Sequence, residues 1–301
     1  MMPRQLNRFA DLLLLLVAAI WGSSYAVAKQ ATLDVPVLQF LALRFGLTFL
    51  ILLPALRPVL TRAGRRGLAP AGLLGANLLA IYLCETFGVT LTSAANAAFL
   101  ISLCVALTPW AEWWLLGVRP TAATLAAAAA SALGAALLAA SGPLDAAVGR
   151  GDALMLAAAL LRAVLVCLTK RFGAVAPLPA LTLTAVQSGV MALATTALSW
   201  LIPRSHWVAL PHAPAFWWCM AWLVLACTLF AFLVQNWAIA RSSPSRVALV
   251  MGSEPLFGAL LAMAWLGESM TPLGWLGGLL IVGAALQVTL PTRPRVSPRA
   301  A

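Results

Sequence analysis

Thr92-Ser93-Ala94-Ala95-Asn96-Ala97-Ala98 and Ser242-Ser243-Pro244-Ser245-Arg246-Val247-Ala248 open two matching apolar runs in the two halves of this chain. Both runs close on Leu-Gly, Leu116-Gly117 and Leu266-Gly267, with no gap needed between the copies. Working outward, Asp11 and Lys29 frame the first apolar run, and Asp152 and Lys170 frame the sixth at the same spacing. The sequence therefore reads as a duplication, with one copy in residues 1–142 and the other in 143–301. Each copy holds five apolar runs. Five is odd, so the second copy enters a bilayer from the opposite side. Inverted repeats with a site at their interface are an architecture of secondary transporters.

The runs are Leu12–Ala28, Val37–Leu56, Ala71–Val89, Ala94–Leu116 and Ala122–Ala140, then Ala153–Phe172, Ala180–Ile202, Phe216–Ile239, Val247–Leu266 and Leu273–Leu290. A helix needs about 20 apolar residues to cross roughly 30 Å of hydrocarbon. Barrel strands are shorter and alternate strictly, which none of these runs does. The expected fold is an all-α membrane protein of ten transmembrane helices, arranged as two inverted five-helix repeats. Hydrophobic residues make up 63% and charged residues 9% of the chain, with a mean hydropathy of +0.98. A soluble domain carries about 25% charged residues. Arg4 and Arg8 ahead of the first run resemble the start of a secretion signal, but that run continues through Trp21-Gly22-Ser23-Ser24-Tyr25 and has an internal copy, so it is expected to be retained.

The net charge of +11 raises the question of nucleic acid. Its distribution answers it. With a cytoplasmic amino terminus, most basic residues fall inside, among them Arg4, Arg8, Arg57, Arg62, Arg65, Arg66, Arg119, Lys170, Arg171, Arg241 and Arg246, with Arg293, Arg295 and Arg299 at the end. Lys29, Arg150 and Arg204 fall outside, while Arg44 and Arg162 lie within spans. This positive-inside bias puts both termini in the cytoplasm and assigns the charge to topology and lipid headgroups, with no nucleic-acid partner. Cys84, Cys104, Cys167, Cys219 and Cys227 sit in apolar runs without metal or redox spacing. His206 and His212 share a loop without nearby carboxylates or cysteines. No metal and no cofactor is expected.

The series Ala19-Ile20-Trp21-Gly22-Ser23-Ser24-Tyr25, Leu43-Arg44-Phe45 and Thr92 through Leu100 resembles the EamA-type transporters of the drug/metabolite transporter superfamily. So do Ser242 through Leu249, Glu254-Pro255 and Leu266-Gly267-Glu268 in the second copy. The resemblance runs from about Leu12 to Val288. It implies a ten-helix secondary transporter of the bacterial inner membrane that moves small metabolites, commonly outward. It also implies that helices 1, 3, 4, 6, 8 and 9 surround the pathway. Two departures stand out: Val118-Arg119 lacks the acid that Glu268 supplies in the second copy, and Arg162 stands where an aromatic is usual.

Polar residues inside the runs are the candidates for transport. Glu254 lies near the middle of the ninth run, where an acid costs about 2.5–3.5 kcal/mol on insertion scales and should face a cavity or a partner. Pro255 beside it removes a helix donor and frees the carbonyl of Met251. The competing reading makes Glu254 a neutral cap on a structural kink. Pro109 is expected to kink the fourth run, freeing the carbonyl of Val105. Glu85 and its counterpart Gln235, with Asn236 adjoining, read either as polar groups flanking a cavity or as interhelical hydrogen bonds. Arg162 lies too deep to snorkel and needs an anion: Glu85, Glu254 or a substrate carboxylate. Arg44 is expected to pair structurally or to snorkel, and Glu112, among Trp110, Trp113 and Trp114, to be exposed at an interface. Trp21, Ser24 and Tyr25 offer aromatic and small groups to a substrate, and Ser93, Asn96 and Ser102 offer hydrogen bonds; the same groups could equally join helices. Ala126, Ala130 and Gly134 on the fifth run and Gly274 and Gly278 on the tenth form small-residue faces expected to pack together.

These features point to alternating access of a small-molecule substrate in a monomer. Coupling to protons through Glu85 or Glu254 and simple facilitated diffusion both fit. No nucleotide-binding Gly-x-x-x-x-Gly-Lys loop occurs. A membrane-embedded enzyme would need a nucleophile with its base, or a metal constellation, and no such pattern occurs. A scaffold without flux is the remaining rival.

Overall fold

A computed structural model describes residues 4–92, 94–140, 149–202, 207–266 and 271–289. The join between the copies, Ser93, His206, Gly267, Glu268 and the basic residues Arg293, Arg295 and Arg299 lie outside the described residues, as do the side chains of Arg4, Arg8 and Asn96. The described residues form helices connected by short turns: α1 (Arg4–Asp34), α2 (Val37–Leu52), α3 (Arg62–Leu91), α4 (Ala94–Ser102), α5 (Cys104–Leu116), α6 (Ala122–Ala139), α7 (Arg150–Val175), α8 (Ala180–Leu201), α9 (Pro214–Val224), α10 (Ala231–Arg241), α11 (Pro244–Met251), α12 (Glu254–Leu266) and α13 (Pro272–Thr289). Eight described helical segments are long and apolar enough to cross a bilayer, and Pro272–Gln287 is a shorter apolar helix.

Apolar side chains cover the outside as well as filling the core. Leu12, Leu50, Leu73, Trp114, Leu193, Trp218 and Leu279 face outward, whereas Gln39, Arg44, Glu85, Asp152, Gln187, Asn236 and Glu254 are buried. An apolar exterior with the charged groups kept inside is what lipid as solvent demands. The chain is a multi-pass membrane protein. Its largest apolar cluster gathers Leu14, Val17, Trp21, Phe40, Phe45, Ile81, Ile101, Met155 and Phe232 around the centre.

The fourth and ninth runs are each broken. The first breaks at Leu103, whose N–H donates to Leu100 O at 3.3 Å; the second breaks at Gly252-Ser253, where Ser253 N donates to Val250 O at 3.4 Å. Leu103 and Ser253 are equivalent positions of the two copies. Only the second break falls where proline predicts it: α11 ends at Met251, the residue whose carbonyl Pro255 frees. Pro109 lies inside the uninterrupted α5, six residues past its break. Pro255 stands in the first turn of α12, where the missing N–H would have had no helical partner in any case. Serine hydroxyls cover the carbonyls at both turns, Ser102 Oγ donating to Phe99 O at 2.6 Å and Ser253 Oγ to Val250 O at 2.9 Å.

A third irregularity joins α9 to α10: Leu225–Phe230 is π-helical. Thr228 Oγ1 donates to Leu223 O at 2.8 Å across it, and Cys227 O turns away to accept from Trp21 Nε1 at 2.8 Å. A π-turn releases backbone carbonyls from the helical ladder, which leaves one for the indole.

The most extensive helix contacts are α6 with α13, α3 with α7 and α2 with α8. The α6–α13 seam is the expected one, but its register differs. A Cβ on Gly134 would lie 2.5 Å from Gly277 O, and one on Gly277 would lie 2.4 Å from Gly134 O. Gly278 faces Leu256 of α12 instead, and Gly274 N donates to Thr271 Oγ1 at the start of α13. Ala126 is exposed while Ala127 is buried, and Ala130 packs at the edge of the cluster formed by Val105, Ala128 and Ala284. In a run of alanines one residue of register rotates a side chain by about 100°, and composition does not fix it.

The framing residues hold the ends of the helices. Arg246 donates to Asp11 from Nε at 3.2 Å and from Nη2 at 2.6 Å, tying the start of α11 to the start of α1. Lys29, near the end of α1, donates to Thr92 O at 3.0 Å, and Thr92 Oγ1 donates to Asp152 at the start of α7 at 2.8 Å. Lys170, near the end of α7, donates to Ala240 O at 3.1 Å. The end of α1 thus lies beside the start of α7, and each aspartate reaches from its own copy into the other.

Candidate functional site

Glu254, the first residue of α12, is 4% exposed. Its position follows from the approach of α1: a Cβ on Gly22 would lie 2.7 Å from both Glu254 O and Gly258 N, so the two helices touch at backbone level. One turn along α1, Tyr25 reaches the acid, its OH donating to Glu254 Oε1 at 2.5 Å. From α7, Arg162 Nη1 donates to Glu254 Oε2 at 3.3 Å. The same guanidinium places Nη2 3.5 Å from Glu85 Oε2 on α3. That oxygen accepts no hydrogen bond, so its contact with Arg162 is an electrostatic approach without donor geometry. The ring of Trp21 lies under the guanidinium, 4.8 Å from Cζ to the centroid. One cation is therefore shared by two buried carboxylates and an indole face. Both acids named from the sequence are its partners.

A small cavity of ≈ 40 Å³ adjoins this cluster, bordered by Trp21, Tyr82, Ser102, Arg162, Phe232, Gln235 and Glu254 among others. A water needs about 10–15 Å³ of such space, so the chamber has room for a few waters. Ser102 and Gln235 border it as expected, Gln235 Nε2 lying 3.8 Å from Met251 Sδ. Asn236 does not. It points toward α8, donating to Thr184 Oγ1 and Gln187 Oε1, each at 3.1 Å. Ser24 donates back to Trp21 O at 2.8 Å on its own helix and stays off the chamber wall.

Arg44 takes the structural pairing that the sequence favoured, while Glu112 and Tyr82 depart from expectation. Arg44 does not snorkel: it is 3% exposed, with Nε donating to Thr228 Oγ1 at 2.8 Å and Cζ 5.1 Å from the centroid of the Tyr82 ring. The π-turn is what presents Thr228 to it. Glu112 is buried rather than exposed, accepting from Ser245 N at 3.1 Å and from Ser245 Oγ, and so caps the start of α11. Tyr82, missed in the sequence, borders the chamber and packs edge-on against Phe45, centroids 4.9 Å apart. Its spacing from Glu85, just under one helical turn, was the available signal.

Residues 8–140 and again 149–290 match the EamA-like transporter family. The chain belongs to that family. A relative from Archaeoglobus fulgidus, named an uncharacterized transporter, is 26% identical over 287 residues, spanning 94% of this chain and 86% of the relative. A solved crystal structure superposes with a TM-score of 0.74 at 21% identity, covering 93% of this chain and 97% of the other, which is a likeness of fold. Like its EamA family, the chain is a membrane transporter.

Proposed function

We propose that this protein is a secondary transporter of the bacterial inner membrane, built as two inverted five-helix repeats in residues 1–142 and 143–301, with ten transmembrane passages and both termini in the cytoplasm. It exports amino acids or related small metabolites by alternating access, acting as a monomer and without a cofactor. The observation that carries this is the cluster of Arg162, Glu85, Glu254 and Tyr25 beside a small chamber. One guanidinium faces two carboxylates, so the cluster accepts one further positive charge, either a proton or the ammonium of a substrate, while Arg162 can turn to a substrate carboxylate. The matched breaks at Leu103 and Ser253 support two related gates, and the crossed contacts of Asp11 and Asp152 support antiparallel copies.

The test is flux in liposomes containing only this protein. Candidate substrates come first from ligand-induced thermal stabilisation of the purified protein. Glu254→Gln is expected to abolish or strongly slow exchange while the protein stays folded and inserted. Unchanged exchange at every pH tested would reject the role given to this acid.

A further inference from the structure

A second cavity lies away from the charged cluster. At ≈ 340 Å³ it is much the larger of the two, within the range of small-molecule sites. It sits between the first half of α3, the second half of α7, the start of α8 and the end of α10. Its walls are mostly apolar, including Leu74, Phe172, Leu183 and Trp237, with Asn236 and Thr169 as polar groups. Among the described residues, the only charged side chain on its lining is Arg241, whose guanidinium stacks over Trp237 at 4.8 Å, and no carboxylate lines it.

This cavity and the central chamber are neighbours along the same helices. Leu74 lines the larger one and Leu78 the smaller; Thr169 and Val166 divide likewise, as do Asn236 and Gln235. The barrier is about one helical turn thick. Within it or beside it are two buried polar atoms without a hydrogen-bond partner, Asn77 Oδ1 on α3 and Ser188 Oγ on α8. Orphaned polar atoms of this kind are where buried water is held. Asn236 is braced from α8 by its bonds to Thr184 and Gln187, which fixes an amide at the boundary.

We propose that the larger cavity is an antechamber, a separate binding site in which an organic anion or zwitterion with an apolar body is held before it enters the central chamber. The apolar body lies against Leu74, Leu183 and Trp237, and its carboxylate or sulfonate faces Arg241. A purely cationic ligand meets only like charge there. The assignment rests on the transport reading above, and on that topology the antechamber opens toward the cytoplasm.

The test uses Ala240→Cys, at an exposed residue on the lining, in the full chain in liposomes, with the parent protein as control for its native thiols. An anionic sulfonatoethyl methanethiosulfonate is expected to modify the introduced thiol about tenfold faster than the cationic trimethylammonium reagent. Adding Arg241→Gln should reduce that preference, Lys170 remaining beside Ala240, without changing the rates at a Val175→Cys control. Indole-3-acetate should protect the introduced thiol while tryptamine does not, and the protection should persist with Glu254→Gln. Equal rates for the two reagents, or equal protection by the two indoles, would overturn the anion site. Protection lost with Glu254→Gln would overturn its separateness. Because this readout is labelling, it can fail while exchange through the central site stands, and the reverse.

Discussion

Tyr25 donates its hydroxyl to the one carboxylate that also receives Arg162. Removing that donor with Tyr25→Phe leaves Glu254 Oε1 facing an apolar ring edge. A hydrogen bond to a charged group contributes about 1.5–3 kcal/mol, so the variant is expected to lower both the melting temperature and the exchange rate. A melting curve and a flux assay on the same preparation check it. Arg44 calls for a different expectation, because it touches neither acid and its fork is held by Thr228 and by the faces of Phe45 and Tyr82. Lysine keeps the charge but has no planar fork to stack or to bond sideways. Arg44→Lys should therefore destabilise by about 1–3 kcal/mol, read as a loss of thermal stability with substrate affinity largely kept. The acids and Arg162 were legible in the sequence because ionisable residues in apolar runs are rare. The burial of Arg44 and Glu112 was not, since their partners are a hydroxyl and a backbone N–H that no composition signal marks.

At the scale of helices, close approach decides the architecture. Gly134 and Gly277 touch through backbone atoms at the α6–α13 seam, and no side chain fits there. Gly277→Leu is expected to weaken assembly severely, by several kcal/mol, as overpacking with backbone in the way does. Gly283→Ala on the same helix meets nothing within 4 Å and should change little. Size-exclusion profiles and melting temperatures of the two variants, side by side, decide the matter; equal behaviour would contradict the seam. Gly22→Ala is the corresponding change at the site, pushing α12 away from α1 and so separating Tyr25 from Glu254. It should cut exchange more than it cuts stability. That these seams exist follows from small residues spaced four apart, a pattern visible in the sequence. Their register depends on the neighbours each helix meets: Gly134 sits at the seam as the pattern indicated, whereas on α13 it is Gly277, not Gly274 or Gly278, that meets it. The first break was hidden for a related reason: Leu103 turns beside a serine-covered carbonyl with Pro109 six residues beyond it, whereas Pro255 does mark the end of α11.

For the whole molecule, direction through the bilayer is the largest expectation. Leu33, near the end of α1, and Val175, at the end of α7, are both highly exposed. On the proposed topology Leu33→Cys reacts with an impermeant maleimide in intact cells, and Val175→Cys reacts only in inverted vesicles. Both reacting from the same side would dismantle the antiparallel arrangement. The duplication behind this expectation was written in Asp11, Lys29, Asp152 and Lys170, and the structure joins each aspartate to the other copy and each lysine to a carbonyl of its own copy. The π-turn had no such trace, because it needs only one extra residue per turn and leaves the apolar pattern intact.

A chamber with room for only a few waters has a consequence for binding strength. Any cargo larger than those waters must dilate the bundle, so its apparent affinity is discounted by the fraction of molecules already swollen enough to admit it. Bulkier cargo is discounted more, and weak equilibrium binding becomes compatible with brisk turnover. A substitution that loosens the packing around Phe232 would tighten such binding even as it lowers the temperature at which the protein melts.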